Sequence, residues 1–413
     1  MPTVLRIVTR LNRGGPLRQL AGLLPALAAL GWSGPLAFGS VGEGESDGRE
    51  ALAGADLRPL PALQRGLSAW RDARALAAIR ALADDVQPDV VHTHMGKAGV
   101  LGRWAARRLG LPCVHTLHGH HLDAPGWRGA LAVRAERALA PLCQRLVVLS
   151  ERQRRDVVEV HRVAEAGRVA VVGPALDVAH VRAAGSGPPQ APGAEAARAA
   201  GWLGGELPTY AWCGRLVDVK QPWLALEAAA AARVPWRLVL VGQGPWAQRL
   251  HALRDRLGLR ERVALVGEAA EAAPWIARAH ALLLSSRSEG TPMVMLEAFA
   301  LGCPVVAPTV GGIPDLLGHG EEGLWVPPGD AQALAAALDR LAAEPGLRQR
   351  LAAGAARAGP RHDSARQAEE LAALYAQLIP GARAGRGARA APGETGATGT
   401  TGRAAPAPVA SAP

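Results

Sequence analysis

The chain has 413 residues, 49% of them hydrophobic and 20% charged, a composition that excludes a disordered polymer. It is too long for one ordinary core, and two domains of roughly 170 residues plus a tail are expected. Its formal net charge is +10, and no stretch reaches the roughly 20 uninterrupted apolar residues of a spanning helix.

No basic helix, zinc spacing or aromatic-stacking pattern marks a nucleic-acid binder, so the positive balance points to an anionic small ligand or an anionic membrane surface. Of 46 Lys and Arg only two are lysine, Lys97 and Lys220. Where a generic cation suffices the chain uses Arg, so these two positions stand out as candidates for a compact ammonium. Cys113, Cys143, Cys213 and Cys303 are scattered without paired spacing beside apolar runs. They are read as reduced core residues, with no metal site expected. The N-terminal stretch is strand-like and lacks the apolar core of a signal peptide, so a cytoplasmic location is expected.

Residues 4–9 read as a first strand, followed by Leu11-Asn-Arg-Gly-Gly-Pro16 and a helix over 17–30 that Pro25 should kink or break. Gly14-Gly15 lets backbone approach a ligand closely or is an ordinary strand–helix turn; spacing alone leaves both open. A strand at 33–40, a polar loop at 41–49 and a helix over 67–84 come next. Asp89-Val-Val-His-Thr-His94 is a strand ending in histidines, and Thr116-Leu-His-Gly-His-His121 is a loop after the strand at 112–115. Between them lies a helix at 99–109. An Arg-rich helix at 127–143 and a strand at 145–149 lead to Ser150, which should cap a helix with Gln153 at the capping-box position. A strand at 169–172 closes this half.

The interval 183–200, containing Gly-Ser-Gly-Pro-Pro-Gln-Ala-Pro-Gly, is the linker candidate. Beyond it strands at 210–213, 236–241, 263–266 and 281–284 alternate with helices at 222–232 and 245–257. Two such series imply two doubly wound parallel sheets, whose ligands bind outside the carboxyl ends of the strands. Helices at 331–343 and 364–378 precede a Gly, Ala, Pro and Thr-rich tail from 381 onward, expected to be disordered.

The most informative stretch follows the strand at 281–284. Pro292 suits the first turn of a helix that runs through Leu296 and Phe299 to Gly302, and Glu289 and Glu297 bracket it. Its free N–H groups at the sheet's carboxyl edge suit a phosphate or a polar sugar. In Cys213-Gly-Arg-Leu-Val-Asp-Val-Lys220, Gly214 turns the chain at a strand end. Arg215 and Lys220 are then either a diphosphate site or a pair of solvated charges.

Gly214-Arg-Leu-Val-Asp-Val-Lys220, Val241-Gly-Gln-Gly-Pro245, Ser288-Glu-Gly-Thr-Pro-Met-Val-Met-Leu-Glu297 and Val310-Gly-Gly-Ile-Pro-Asp315 occur in the order of a known family. The chain resembles the retaining nucleotide-sugar glycosyltransferases of family 4, with the GT-B fold, over roughly residues 3–380. Asn12-Arg-Gly-Gly15 and the two histidine motifs resemble a bacterial branch concerned with cell-surface polysaccharide.

The resemblance implies an α/β protein of two Rossmann-like domains facing across a cleft: 1–180 on the acceptor side, a linker at 181–204 and 205–360 for the nucleotide sugar. A helix at 361–380 would cross back to the first domain, leaving 381–413 as the tail. It further implies transfer of a hexosyl residue from a nucleoside-diphosphate sugar, with UDP-sugars the expected donors, to a hydroxyl of a glycan or lipid-linked saccharide. No cofactor or metal would be needed. Arg215 and Lys220 would bind the diphosphate, Glu289 the donor sugar and Glu297 the ribose. Gly290 and Thr291 would offer backbone N–H groups, Gly14 and Gly15 would close over the diphosphate, and His118 would line the reacting centre. A nucleotide-sugar epimerase or a non-catalytic sugar-nucleotide-binding subunit are the alternatives.

Two features depart from the family pattern. Gln221 stands where a glycine usually follows the lysine, and Leu122-Asp-Ala-Pro-Gly-Trp127 replaces an aromatic cluster. Among the remaining histidines, His94 and His120 are candidate ligand contacts, and a metal site built from His92, His94, His115, His118, His120 and His121 lacks the usual spacing. Lys97 faces an anionic acceptor or plain solvent. Arg128, Arg134, Arg137 and Arg145 form either a solvated helix face or a peripheral contact with the inner face of the membrane.

Overall fold

In the computed structural model, residues 1–12, 14–42, 47–118, 122 and 126–379 are described, Arg128 without its side chain. The expected tail, with His120 and His121, lies outside them.

The first half alternates β1 (Val4–Val8), α1 (Gly15–Ala29), β2 (Leu36–Phe38), β3 (Leu57–Pro59), α2 (Ala69–Val86), β4 (Val90–His94), α3 (Gly96–Leu109), β5 (Cys113–Thr116), α4 (Trp127–Leu139), β6 (Arg145–Val148), α5 (Glu151–Arg155) and β7 (Val169–Val171). The seven strands form one sheet in the order β3-β2-β1-β4-β5-β6-β7, and every pairing is parallel. β1 and β4 are fully buried runs, as strands covered on both faces must be. Helices α2 and α3 bury Ala75, Ile79 and Ala105 against one face with Leu5, Ile7 and Val91. The other face packs Val4, Val90 and Val114 on Leu23 and Leu27 of α1.

The second half runs α6 (Val178–Ser186), α7 (Ala194–Ala200), β8 (Thr209–Cys213), α8 (Pro222–Ala231), β9 (Arg237–Val241), α9 (Ala247–Arg256), β10 (Val263–Gly267), α10 (Ala273–Ala277), β11 (Ala281–Leu283), α11 (Met293–Ala300), β12 (Val305–Pro308), α12 (Ile313–Leu316), β13 (Gly323–Val326), α13 (Ala331–Ala343), α14 (Pro345–Ala358) and α15 (Ser364–Leu378). Its six parallel strands are ordered β10-β9-β8-β11-β12-β13. The order reverses between β1 and β4 in the first sheet and between β8 and β11 in the second. Loops leaving those four strands therefore open onto the crevices where doubly wound sheets bind ligands.

The final helix α15 leaves the second domain and packs on α1, burying Leu371, Leu374 and Tyr375 among the residues of the first sheet. The two passages between domains lie side by side: Leu176 N donates to His362 O at 3.0 Å and Ser364 N to Leu176 O at 2.9 Å. Gly22 of α1 sits against both, since a Cβ there would be 2.9 Å from Asp177 N and 3.1 Å from Ser364 Cβ.

Several local expectations change. Helix α1 continues through Pro25, which lies on its exposed side where water replaces the missing hydrogen bond. The interval 181–204 carries much of α6 and all of α7, because its alanines favour helix on both sides of the Pro/Gly segment; these helices pack on α10 and β10. Gln153 N is capped by Ser150 Oγ at 3.2 Å, but the Gln153 side chain accepts from Leu149 N rather than Ser150 N. Strand β3, unmarked in the sequence, is an edge strand that tolerates Arg58 and Pro59. All four cysteines are free and buried.

Candidate active site

The second domain's candidate site is built from the loops after β8 and β11, which are tied together by backbone and side-chain hydrogen bonds. The first loop is held by the turn after β9: Gly214 N donates to Val241 O at 3.0 Å and Leu216 N to Gln243 O at 2.8 Å. That fit requires Gly242 at φ 146°, where a Cβ would fall 1.8 Å from Gly214 O. The far end of the same loop is tied to the second. Ser285 Oγ lies 2.8 Å from Lys220 O and accepts from Trp212 Nε1 at 2.9 Å, while Arg287 N donates to Val219 O at 2.8 Å.

These ties aim Lys220 at Glu289. Its Nζ is 2.5 Å from Glu289 Oε1, which also accepts from Ser286 Oγ at 2.5 Å. The carboxylate side chain is 8% exposed, so two charge-assisted bonds to one oxygen offset its desolvation and leave Oε2 outside these bonds. Gly311 sets the carboxylate's height: at φ 54° its missing Cβ would be 1.7 Å from Glu289 O, and Gly312 N donates to Gly290 O at 3.1 Å. Arg215 is exposed, and its guanidinium has no partner among the described residues. Its charge is therefore uncommitted, unlike that of Lys220. Gln221 occupies φ 44°, ψ 53° at the N-cap of α8, a left-handed conformation that glycine adopts without strain.

Helix α11 begins at Met293, directly after Gly290, Thr291 and Pro292, and faces the start of α1 from the other domain. A Cβ on Gly15 would be 3.1 Å from Met293 Cγ. Two helix N-termini thus converge, each with first-turn N–H groups and the positive end of its dipole turned toward the same space. Arg18, one turn into α1, forms an ion pair with Glu297 in α11. Glu297 is buried, and its Oε2 has no partner among the described residues. A second link joins the domains where Arg152 N donates to Asp315 Oδ2 at 3.2 Å.

On the first domain's carboxyl edge, His118 Nε2 lies 3.0 Å from His94 Nδ1. His94 stacks on His92, with ring centroids 4.2 Å apart. Burial lowers the pKa of His118 to about 4, and those of His92, His94 and His115 fall well below the ordinary imidazole value for the same first cause. All four are neutral near pH 7. His115 points to the opposite face, under α3 and against Gly99, where it bonds Thr93 Oγ1 at 2.8 Å. Lys97 does not face the cleft: it pairs with Asp72 at 2.5 Å and donates to Gly66 O, pinning the start of α2 to α3.

Of the residues read from sequence, Gly214, Lys220, Glu289, Gly290, Thr291 and Glu297 are brought together around the β8–β11 crevice, with Arg215 at its open side. Gly14 and Gly15 reach it from the other domain, and His118 lies on that domain's own carboxyl edge. Sequence reasoning missed Arg18, Ser285 and Ser286. Arg18 follows the glycine pair within one helical turn, and Ser286 precedes Glu289 by three residues; both spacings were readable.

Two sheets facing across a cleft, with paired carboxylates and cations at one switch point, define a GT-B glycosyltransferase. A model described as "Glycosyl transferase 4-like domain" matches residues 14–175, and one described as "Glycosyl transferases group 1" matches residues 208–344. The chain is 34% identical over 328 residues to a D-inositol 3-phosphate glycosyltransferase of Frankia alni, covering 73% of this chain and 77% of that one. It is 32% identical over 337 residues to its namesake in Acidothermus cellulolyticus, covering 74% and 71%. The chain belongs to the group 1, family-4-like glycosyltransferases. Among solved structures, Anabaena Alr3699/HepE in complex with UDP superposes with a TM-score of 0.73 at 20% identity, covering 91% of this chain and all of that one. A glycosyltransferase from Rickettsia africae gives 0.74 at 15% identity, covering 92% and 99%.

Proposed function

We propose that this enzyme transfers a hexosyl residue, with retention, from a UDP-sugar to a hydroxyl of a glycan or lipid-linked saccharide in cell-surface glycoconjugate synthesis. The observation that carries this reading is the placement of Lys220, Glu289 and the two opposed helix N-termini around one crevice. Cleaving a glycosyl phosphate builds negative charge on the leaving diphosphate, which Arg215, Lys220 and the N–H groups near Gly14, Gly15, Gly290 and Thr291 are positioned to stabilise. Glu289 then holds donor-sugar hydroxyls through Oε2, and the open Oε2 of Glu297 receives the ribose. A carboxylate already bonded to Lys220 and Ser286 is a poor nucleophile, which favours front-face attack with the leaving phosphate removing the acceptor proton. His118 faces the reacting centre as a neutral donor. The HepE structures with UDP and with UDP-glucose support the donor class by analogy of fold.

The acceptor is the open part. The relatives' name favours an inositol phosphate as a second reading. A different surface feature favours a lipid-borne acceptor. Six of the ten large apolar side chains exposed among the described residues are Leu67, Trp70, Val100, Trp104, Trp127 and Leu131. Leu67, Trp70, Val100, Trp127 and Leu131 sit at or near the starts of α2, α3 and α4, toward the carboxyl edge of the first sheet, and Trp104 lies further along α3. On the same helices Arg71, Arg74, Arg107, Arg108 and Arg134 are exposed, whereas Asp72 is paired with Lys97 and Glu136 is buried against Arg103 at 2.8 Å. Tryptophan beside arginine suits an anionic bilayer surface, and the exposed Asp84 and Asp85 lie at the far, C-terminal end of α2. No described helix is long and apolar enough to cross a membrane.

The test is nucleotide release from UDP-sugars with a membrane extract, with inositol phosphate and with no acceptor. Release that needs the lipid fraction supports this reading. Release with inositol phosphate alone favours the second, and conversion of the donor sugar without release indicates an epimerase.

A further inference from the structure

The first domain buries an arginine that has no carboxylate partner. Arg6, in the middle of β1, is 1% exposed, and its Nε and Nη2 make no hydrogen bond among the described residues. The phenol of Tyr375, on the crossing helix α15, lies close enough to interact with its charge. Tyr375 in turn reaches His92: its hydroxyl is 2.6 Å from Nδ1, and His92 Nε2 is 2.8 Å from Thr116 Oγ1. His92 stacks on His94, which bonds His118. Two hydrogen-bonded segments, Tyr375–His92–Thr116 and His94–His118, therefore meet at the His92–His94 stack between the crossing helix and the cleft.

Hydrogen-bond chemistry fixes the direction of each segment. A nearby buried cation attracts the negative end of the phenol dipole, so the Tyr375 oxygen turns toward Arg6 and its hydrogen goes to His92 Nδ1. His92 Nδ1 is then an acceptor, and the neutral ring carries its proton on Nε2, donated to Thr116. At His94 the buried Nε2 has no partner among the described residues. An unmet lone pair is more tolerable than an unmet buried N–H. Its proton accordingly sits on Nδ1 and is donated to His118 Nε2. His118, neutral, is left with its proton on Nδ1.

We propose that Arg6, Tyr375, His92 and His94 are positioning residues that hold His118 as a neutral Nδ1–H donor, and that α15 must be docked for this arrangement to persist. The proposal rests on the reading of His118 as a cleft residue. It explains why a polar row crosses an otherwise apolar face, where Val4, Val90 and Val114 sit on one side. Helix α15 follows the second domain in the chain, so the same contact makes the state of His118 sensitive to the placement of the crossing segment. The histidine then acts as a fixed hydrogen-bond donor, and a proton-shuttling base is not expected there.

Long-range proton–nitrogen spectra of histidine-labelled enzyme report tautomers directly. The wild type should show His92 as Nε2–H and His118 as Nδ1–H. Tyr375→Phe should disturb the His92 signature and, through the His92–His94 stack, that of His118, and lower kcat about tenfold while changing UDP affinity far less, since Lys220 and Glu289 lie in the other domain. His94→Asn, whose amide can still donate from the Nδ1 position, should keep the His118 signature and most of kcat; His94→Ala should lose both. A charged or Nε2–H His118 in the wild type, or a His118 signature unmoved in both Tyr375→Phe and His94→Ala, would overturn the proposal. If the tautomers are as stated but His118→Ala retains full kcat, the cleft role of His118 fails instead.

Discussion

Arg18 and Glu297 belong to different domains and form an ion pair across the cleft. Glu297 is buried on α11, whereas Arg18 is 42% exposed on α1, so the pair is a hinge contact open to competition by solvent and ligand. One carboxylate oxygen is engaged and the other has no partner among the described residues, so under the proposed reading a bound ribose and a closed cleft share the same group. Arg18→Ala should loosen closure of the ligand-free enzyme. Small-angle scattering should show a larger radius of gyration for the variant, restored by UDP; identical profiles would mean that the pair does not hold the domains.

Gln221 occupies a left-handed conformation that the sequence does not relieve. Gln221→Gly should raise stability by about 1 kcal/mol, read from the denaturation midpoint of the second domain, with turnover retained. A destabilised variant would show that the side chain contributes contacts that outweigh the strain.

Gly311 and Gly329 both have positive φ, at 54° and 76°, but only Gly311 is pressed against Glu289 O. Gly329→Ala should cost about 1 kcal/mol and spare activity, because nothing lies within 4 Å of its missing Cβ. Gly311→Ala should displace the Glu289 loop and reduce turnover at least a hundredfold. Steady-state kinetics on the two variants separates conformational strain from the steric requirement.

Four buried histidines have folded-state pKa values below the ordinary value of 6.5, His118 at about 4. Between the folded and unfolded values the unfolded chain binds more protons, so stability rises with pH. Their contribution is complete above about pH 6.5 and declines as pH falls toward 4, by up to about 1.4 kcal/mol per pH unit for each histidine titrating only when unfolded. The melting temperature should fall steadily from pH 6.5 to 5; a flat profile would contradict the burial of neutral imidazoles.

The strand–helix alternation and the glycine, cation and carboxylate spacings at 214–220 and 289–297 make both sheets, and the residues that gather at the β8–β11 crevice, legible in the sequence. Such signals are local. Arg18, Lys97 and Tyr375 were not assigned because their partners, Glu297, Asp72 and His92, are set by tertiary packing rather than by any sequence period. The Pro/Gly run near 187–193 suggested a wider linker than exists, since flanking alanine-rich segments fold as α6 and α7 and dock. Edge strand β3 carries too little apolar pattern to be read.

The central claim is that Lys220 and Glu289 form the donor site of a transferase. Acceptor-dependent UDP release should be measured for the wild type, Lys220→Ala and Glu289→Ala, with circular dichroism confirming that each variant folds. The account predicts loss of turnover by at least a hundredfold in both. Wild-type rates in both variants would contradict it.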